Sequence, residues 1–195
     1  MKELSYQLGL LIGSNLSNQV NAEDMDILSV ARGIEDMLNG NATNETLQKA
    51  NTAVQSYMRD VQTIRAQGAA TEGKTFLAEN GKREGVVTRP SGLQYEVLKA
   101  GTGKVPTATN KVVAHYEGRL LDGTVFDSSI MRGQPATFGV NQLIQGWQEA
   151  LQLMNAGSKW RLYIPYNLAY GEQGAGNDIP PYATLIFDLE LISIV

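Results

Sequence analysis

The sequence predicts an α+β chain: an N-terminal helical region, a long linking helix, and a C-terminal antiparallel β-sheet curled around one short helix. Three observations carry this. All six prolines lie at residue 90 or beyond. The first 89 residues hold only Tyr6, Tyr57 and Phe76 of the fourteen aromatics. Apolar spacing also changes from helical to alternating across the same boundary. The expected divisions are 1–42, 43–88 and 89–195, with Arg89-Pro90-Ser91-Gly92 stopping any preceding helix.

Leu4, Leu8, Leu11, Ile12 and Leu16 follow 3.6-residue spacing and form the apolar face of a first helix. Ser5, Gly9, Gly13 and Ser17 recur every fourth residue on it, and small side chains at that spacing admit another backbone closely. Region 1–42 is therefore expected to pair with its copy in a second chain. A second helix fits Asp26 to Asn39, with Asp24 or Asp26 at its cap and Gly40 as its stop. From about Thr43 a longer helix runs through Leu47, Val54, Met58, Val61 and Ile64 towards Arg83. Gly68 and Gly73 are its weak points, and beyond Ile64 the apolar face thins to Phe76 and Leu77, so that stretch is expected to be an exposed spacer.

The second half alternates. Lys111 to Glu117 sets Val112, Ala114 and Tyr116 on one side, and Asp122-Gly123 then signals a hairpin before Thr124-Val125-Phe126. Ser158 to Tyr166 alternates Trp160, Leu162 and Ile164 against Lys159, Arg161 and Tyr163. The last strand alternates Leu185, Phe187, Leu189 and Leu191 against Asp188 and Glu190. A short helix near Gly146 to Leu151 completes an antiparallel sheet wrapped over one helix.

Composition narrows the chemistry. With no cysteine and only His115, thiolate catalysis, disulfides, Cys-zinc and two-His metal sites are excluded, and no metal or cofactor is expected. A net charge of −4 disfavours nucleic acid. The longest apolar run, Leu8 to Ile12, is far below the roughly twenty residues that a membrane span needs. Lys2, that run and Val20-Asn21-Ala22 loosely resemble a secretion signal, but polar residues close on both sides, so the segment is expected to stay as a helix. The expected compartment is cytoplasmic, with periplasmic as the alternative if an upstream leader was removed.

Gly101-Thr102-Gly103-Lys104 lacks the spacing of a phosphate loop and is read as a turn. Gly171, Gly174 and Gly176 sit in no βαβ unit, and His115 has no Ser-His-Asp arrangement around it. What remains is a set of rings in the second half: Tyr116, Phe126, Phe138, Trp147, Tyr170 and Phe187. Rings usually pack as core, and composition alone favours that bland reading.

The order of the motifs changes the weighting. Ala114-His115-Tyr116-Glu117-Gly118, Asp122 to Ser129, Leu143-Ile144-Gln145-Gly146-Trp147, Leu168-Ala169-Tyr170-Gly171 and Ile179 to Phe187 closely resemble the FKBP-type peptidyl-prolyl isomerases. The resemblance covers residues 90 to 195 in unbroken order. The helical half, opening Ser5-Tyr6-Gln7-Leu8-Gly9, is similar to the bacterial macrophage infectivity potentiator subgroup, whose N-terminal helices dimerise.

The resemblance implies a prolyl recess lined by Tyr116, Phe126, Asp127, Phe138, Leu143, Ile144, Trp147, Ile179 and Phe187, with Trp147 as its floor. Tyr170 would offer its hydroxyl, and Ile179 its backbone N–H, to substrate carbonyls. Arg132 would pair with Asp127 or Tyr116, and Asp127, Tyr170 and Tyr116 are the expected catalytic residues. The implied partners are proline-containing peptides and unfolded clients, with a macrolide of the tacrolimus class as inhibitor. Ala136, Ala175 and Asp178 depart from common family residues, which bears on substrate preference and inhibitor tightness.

The implied chemistry suits the composition. Turning an X-Pro amide crosses a barrier of about 20 kcal/mol without breaking a bond, so no nucleophile or metal is needed. Two other readings compete: a peptide-holding chaperone with little turnover, and a structural dimer whose rings are only core.

Overall fold

The computed structural model describes residues 2–17, 20, 25–176 and 178–195. Asp24, and Asn21 and Ala22 of the cleavage-like triplet, lie outside the described residues. The chain divides into two compact units, residues 1–62 and 63–195.

The first unit holds α1 (Lys2–Ser17), α2 (Ile27–Leu38) and the start of α3 (Asn44–Asn80). Asp26 caps α2 by accepting from the Leu28 N–H, and Gly40 leaves the helix at φ +75°. Thr43 and Thr46 cap α3 reciprocally, each side-chain oxygen accepting the other's N–H (3.2 and 2.8 Å). Neither α1 nor α2 buries a residue: Leu4, Leu8, Leu11, Ile27, Leu28 and Leu38 are all more than half exposed. Between the two helices runs an apolar groove of about 540 Å³, walled by Leu8, Gly9, Ile12, Gly13, Val30 and Ile34.

Helix α3 is continuous through both Gly68 and Gly73. Its last turns are not the exposed spacer expected. Ala69, Ala70, Gly73, Phe76, Leu77 and Asn80 form a covered stripe at helical spacing. Phe76 packs on Tyr163, Gln94 donates to the Leu77 carbonyl (2.8 Å), and Asn80 donates to Gln94 (2.8 Å). A Cβ built on Gly73 would lie 2.3 Å from Thr184 Oγ1, so the helix meets the sheet unit at a glycine. Alanine and glycine made this stripe look bare in the sequence, yet their smallness is what brings the backbones together.

The second unit is a seven-stranded antiparallel sheet: β1 (Val86–Thr88), β2 (Gln94–Lys99), β3 (Lys111–Arg119), β4 (Val125–Ser128), β5 (Ala136–Gly139), β6 (Lys159–Ile164) and β7 (Leu185–Ile194). The order is β1-β2-β6-β7-β3-β4, and β5 also pairs with β3. The Arg89–Gly92 stretch proves to be the loop of the β1–β2 hairpin, closed by an Arg89 N–H to Leu93 carbonyl bond of 2.8 Å. Strands β1, β2 and β5 had not been singled out in the sequence. The Asp122–Gly123 turn holds as expected, with Gly123 at φ +89° and the Leu120 N–H bonded to the Thr124 carbonyl (2.9 Å).

One helix, α4 (Gln145–Leu151), lies against the sheet's inner face. The core between them contains Leu93, Val112, Ala114, Ala150, Leu151, Leu162, Ile164, Leu185, Leu189 and Leu191, all with no exposed surface. The end of α3 packs on the opposite face through Gln94 and Tyr163.

Candidate functional site

The rings of the second unit converge. Strands β3 and β7 pair with Tyr116 opposite Leu189 and Gly118 opposite Phe187, which sets Tyr116 and Phe187 on the inner face. Trp147, buried in α4, stands edge-on to Tyr116 (centroids 5.3 Å apart), Phe138 (5.9 Å) and Phe187 (5.2 Å). Phe126 meets Phe187 edge-on at 5.5 Å. Interplanar angles of 82–86° in these contacts suit the ring quadrupoles. Phe126, Phe138, Leu143 and Ile144 are half-buried at the mouth, while Tyr116, Phe187 and Ile179 lie deeper. Trp147 Nε1 is buried with no hydrogen-bond partner among the described residues.

Gly118 makes this cluster possible. A Cβ there would lie 2.5 Å from a Phe187 ring carbon and 2.6 Å from one of Phe126. Without a side chain on β3 at that point, both rings lie against the strand.

A polar triad borders the rings. Tyr116 donates its hydroxyl to Asp127 Oδ2 (2.5 Å) and accepts from Arg132 Nη2 (2.8 Å). Arg132 Nη1 donates to Asp127 Oδ1, closing the ring of contacts, so Arg132 pairs with both expected partners. Its guanidinium also lies over the Tyr116 ring, 5.7 Å from the centroid. Partial burial pushes the Asp127 carboxyl up, but hydrogen bonds from Tyr116 and Arg132 and the guanidinium charge outweigh it. The carboxyl therefore stays below its ordinary range. Burial, then the bond to Asp127, pushes the Tyr116 hydroxyl up, so it remains protonated. Tyr170 is 40% exposed, and burial with the charge of Asp127 raises its hydroxyl as well.

The backbone donor expected from Ile179 needs correction. Its N–H already donates to the Ala175 carbonyl (3.1 Å), and the Ala175 N–H returns the bond (2.8 Å). Ile144, read in the sequence only as wall, precedes α4 in extended conformation, and its N–H has no acceptor among the described residues. A helix N-cap position was the sequence signal that could have found it. Ser129 was also overlooked: fully buried, its hydroxyl accepts the Tyr116 N–H (2.7 Å) and meets His115 Nδ1 (3.0 Å), which fixes β3 beside the rings. The departures lie at the edge: Ala136 opens β5, Ala175 is bridged to Ile179, and Asp178 is exposed.

Residues 103–192 match the model of the FKBP-type peptidyl-prolyl cis-trans isomerase family, and residues 1–97 match that of the domain amino-terminal to it. The FKBP-type 22 kDa peptidyl-prolyl cis-trans isomerase of Escherichia coli K12 is 45% identical over 99% of this chain and 95% of its own length. The chain belongs to the FKBP-type peptidyl-prolyl cis-trans isomerases. This FKBP-type chain is also 41% identical to the peptidyl-prolyl cis-trans isomerase Mip of Coxiella burnetii, over 98% of its length and 86% of the relative's. The crystal structure of FkpA from Escherichia coli superposes with a TM-score of 0.83 at 32% identity, covering 98% of this chain and 95% of that one. The FKBP-type fold, an antiparallel sheet over one short helix behind a long helix, is therefore the one expected. No described helix is long and apolar enough to cross a membrane.

Proposed function

We propose that this chain accelerates rotation about X-Pro bonds by taking the prolyl ring between Phe126, Phe138, Phe187 and Tyr116, over Trp147. The convergence of these rings beside the Tyr116–Asp127–Arg132 triad is the observation that carries the reading. A planar amide has charge separated between oxygen and nitrogen, and twisting removes that resonance. Ring surfaces that exclude water therefore favour the twisted state relative to the planar one. Tyr170 offers its hydroxyl, and Ile144 its unused N–H, to hold the substrate carbonyls in place. Asp127, ionised and fixed by its two donors, faces the carbonyl carbon as the amide turns.

The substrates are proline-containing segments of unfolded polypeptides, and a macrolide that fills the same rings would compete with them. The helical unit forms a homodimer. The uncovered apolar faces of α1 and α2 and the groove beside Gly9 and Gly13 support this, because a lone helix pair with no buried residue has no core of its own.

A protease-coupled assay with a proline tetrapeptide tests the enzyme. Tyr170→Phe removes one hydrogen bond worth about 1 kcal/mol, so kcat/KM should fall about fivefold. Asp127→Ala removes a charged acceptor, and about tenfold or more is expected. No acceleration by the intact protein ends this reading. A holding chaperone with little turnover has its own support in Ile130 (50% exposed) and Met131 (78% exposed), the two residues before Arg132. It predicts undiminished suppression of client aggregation by the slow variants.

A further inference from the structure

On the sheet face turned away from α4, a recess of about 420 Å³ opens between the end of α3 and strands β3, β6 and β7. Its walls are apolar: Phe76 and Tyr163, with ring centroids 5.8 Å apart, and Ile186. Its rim carries three arginines, Arg83, Arg119 and Arg161. None of these residues takes part in the prolyl site, although their strand neighbours do. Gly118 and Phe187 face the rings, while Arg119 and Ile186, one position away on each strand, face this recess.

Each guanidinium has five N–H donors, and here each is held by only part of its set. Arg161 gives Nε and Nη2 to the two oxygens of Asp188 (2.5 and 2.9 Å). Arg119 gives Nη2 to Asp188 Oδ2 (2.7 Å), and its Nε is buried with no acceptor among the described residues. Arg83 donates to Asn80 (2.8 Å), the Tyr163 hydroxyl (3.0 Å) and Glu96 (3.3 Å). Glu96 answers Arg83, and Asp188 serves both Arg119 and Arg161, with Glu117 opposite Asp188 on the neighbouring strand. Glu79, also at the rim, pairs with Lys82 in solvent.

Nη1 of Arg119 and Nη1 of Arg161 carry no hydrogen bond among the described residues and are not buried, so charge-assisted bonds to an incoming oxyanion would use them. Arginines already pinned in place lose little freedom on binding one. The apolar walls require that the oxyanion come attached to apolar surface. We propose that this recess binds a carboxylate borne on an apolar residue, as presented by the C-terminus of a client polypeptide ending in an aromatic or large aliphatic side chain. Such a contact would tether one end of the client on the far side of the sheet from the prolyl rings and raise the local concentration of its prolines. It does not depend on how the prolyl site works.

The test titrates the ¹⁵N-labelled full chain with acetyl-Ala-Ala-Phe, a probe without proline, and with the same peptide as its C-terminal amide. The free acid should shift the amide signals of Arg83, Arg119, Arg161 and Ile186, and the amide form should bind at least tenfold more weakly. Acetyl-Ala-Ala-Ala should also be weaker, and inorganic phosphate should displace the acid only at high concentration. Arg119→Gln should weaken the acid about tenfold while tetrapeptide isomerisation is unchanged. Phe76→Ala replaces that variant if it loses the wild-type spectrum. Equal binding of acid and amide, shifts confined to Tyr116, Trp147 and Tyr170, or undiminished affinity in a folded variant would each overturn the proposal.

Discussion

Gly118→Ala probes the ring cluster with the smallest possible addition. The new methyl would start 2.5 Å from Phe187 and 2.6 and 2.7 Å from two Phe126 carbons. Carbon contacts settle near 3.5–4.0 Å, so the two rings must together give way by about 1 Å. They cannot retreat freely, because Phe187 is 4% exposed and wedged edge-on against Trp147. Overpacking of this kind costs about 1–3 kcal/mol, which for a unit of this size lowers Tm by several degrees. Misplacing binding surfaces by about 1 Å costs catalysis up to about a hundredfold, a larger loss than the stability change alone would produce. Thermal melting by circular dichroism and kcat/KM on a proline tetrapeptide read the two effects separately. A variant with wild-type kcat/KM would refute the claim that Phe126 and Phe187 bind the prolyl ring, even if its Tm fell.

Gly68 and Gly73 should answer alanine with opposite signs. Nothing lies within 4 Å of a Cβ at Gly68, so Gly68→Ala should stabilise by about 0.5–1 kcal/mol through helix propensity. Gly73→Ala meets buried Thr184 at 2.3 Å and should destabilise by about 1–2 kcal/mol in urea unfolding; equal effects would show that α3 does not pack there. Because Asp127 is held below its ordinary range, its contribution to stability is present above about pH 4 and is lost as pH falls through that lowered value. Tyr116 is raised, so its contribution is present below about pH 10 and is lost as pH rises through the raised value. Isomerase activity should therefore be level from pH 5 to 9, and a bell-shaped profile in that window would contradict a role without proton transfer. Gly9→Leu or Gly13→Leu should move sedimentation towards monomer; an unchanged dimer would exclude the small-residue stripe as interface.

Local pattern carried much of this protein. Alternation in Val112 to Tyr116 and in Leu185 to Leu191 marked the two central strands, Asp122-Gly123 marked the hairpin from the first of them into β4, and the order of ring-bearing motifs marked the site. These signals lie within a few residues of one another, and side-chain direction along a strand follows from its period of two. Strands β1 and β5, three and four residues long, are too short to show such a period and exist only through their partners. Close packing between distant segments is likewise invisible along the chain: Gly73 against Thr184, and Gly118 under two rings. The Ile179 donor was misjudged for the same reason, since only the folded loop shows Ala175 already occupying it. Residue type and period settle which way a side chain points; which group it then meets depends on segments tens of residues away, and only the assembled sheet brings those together.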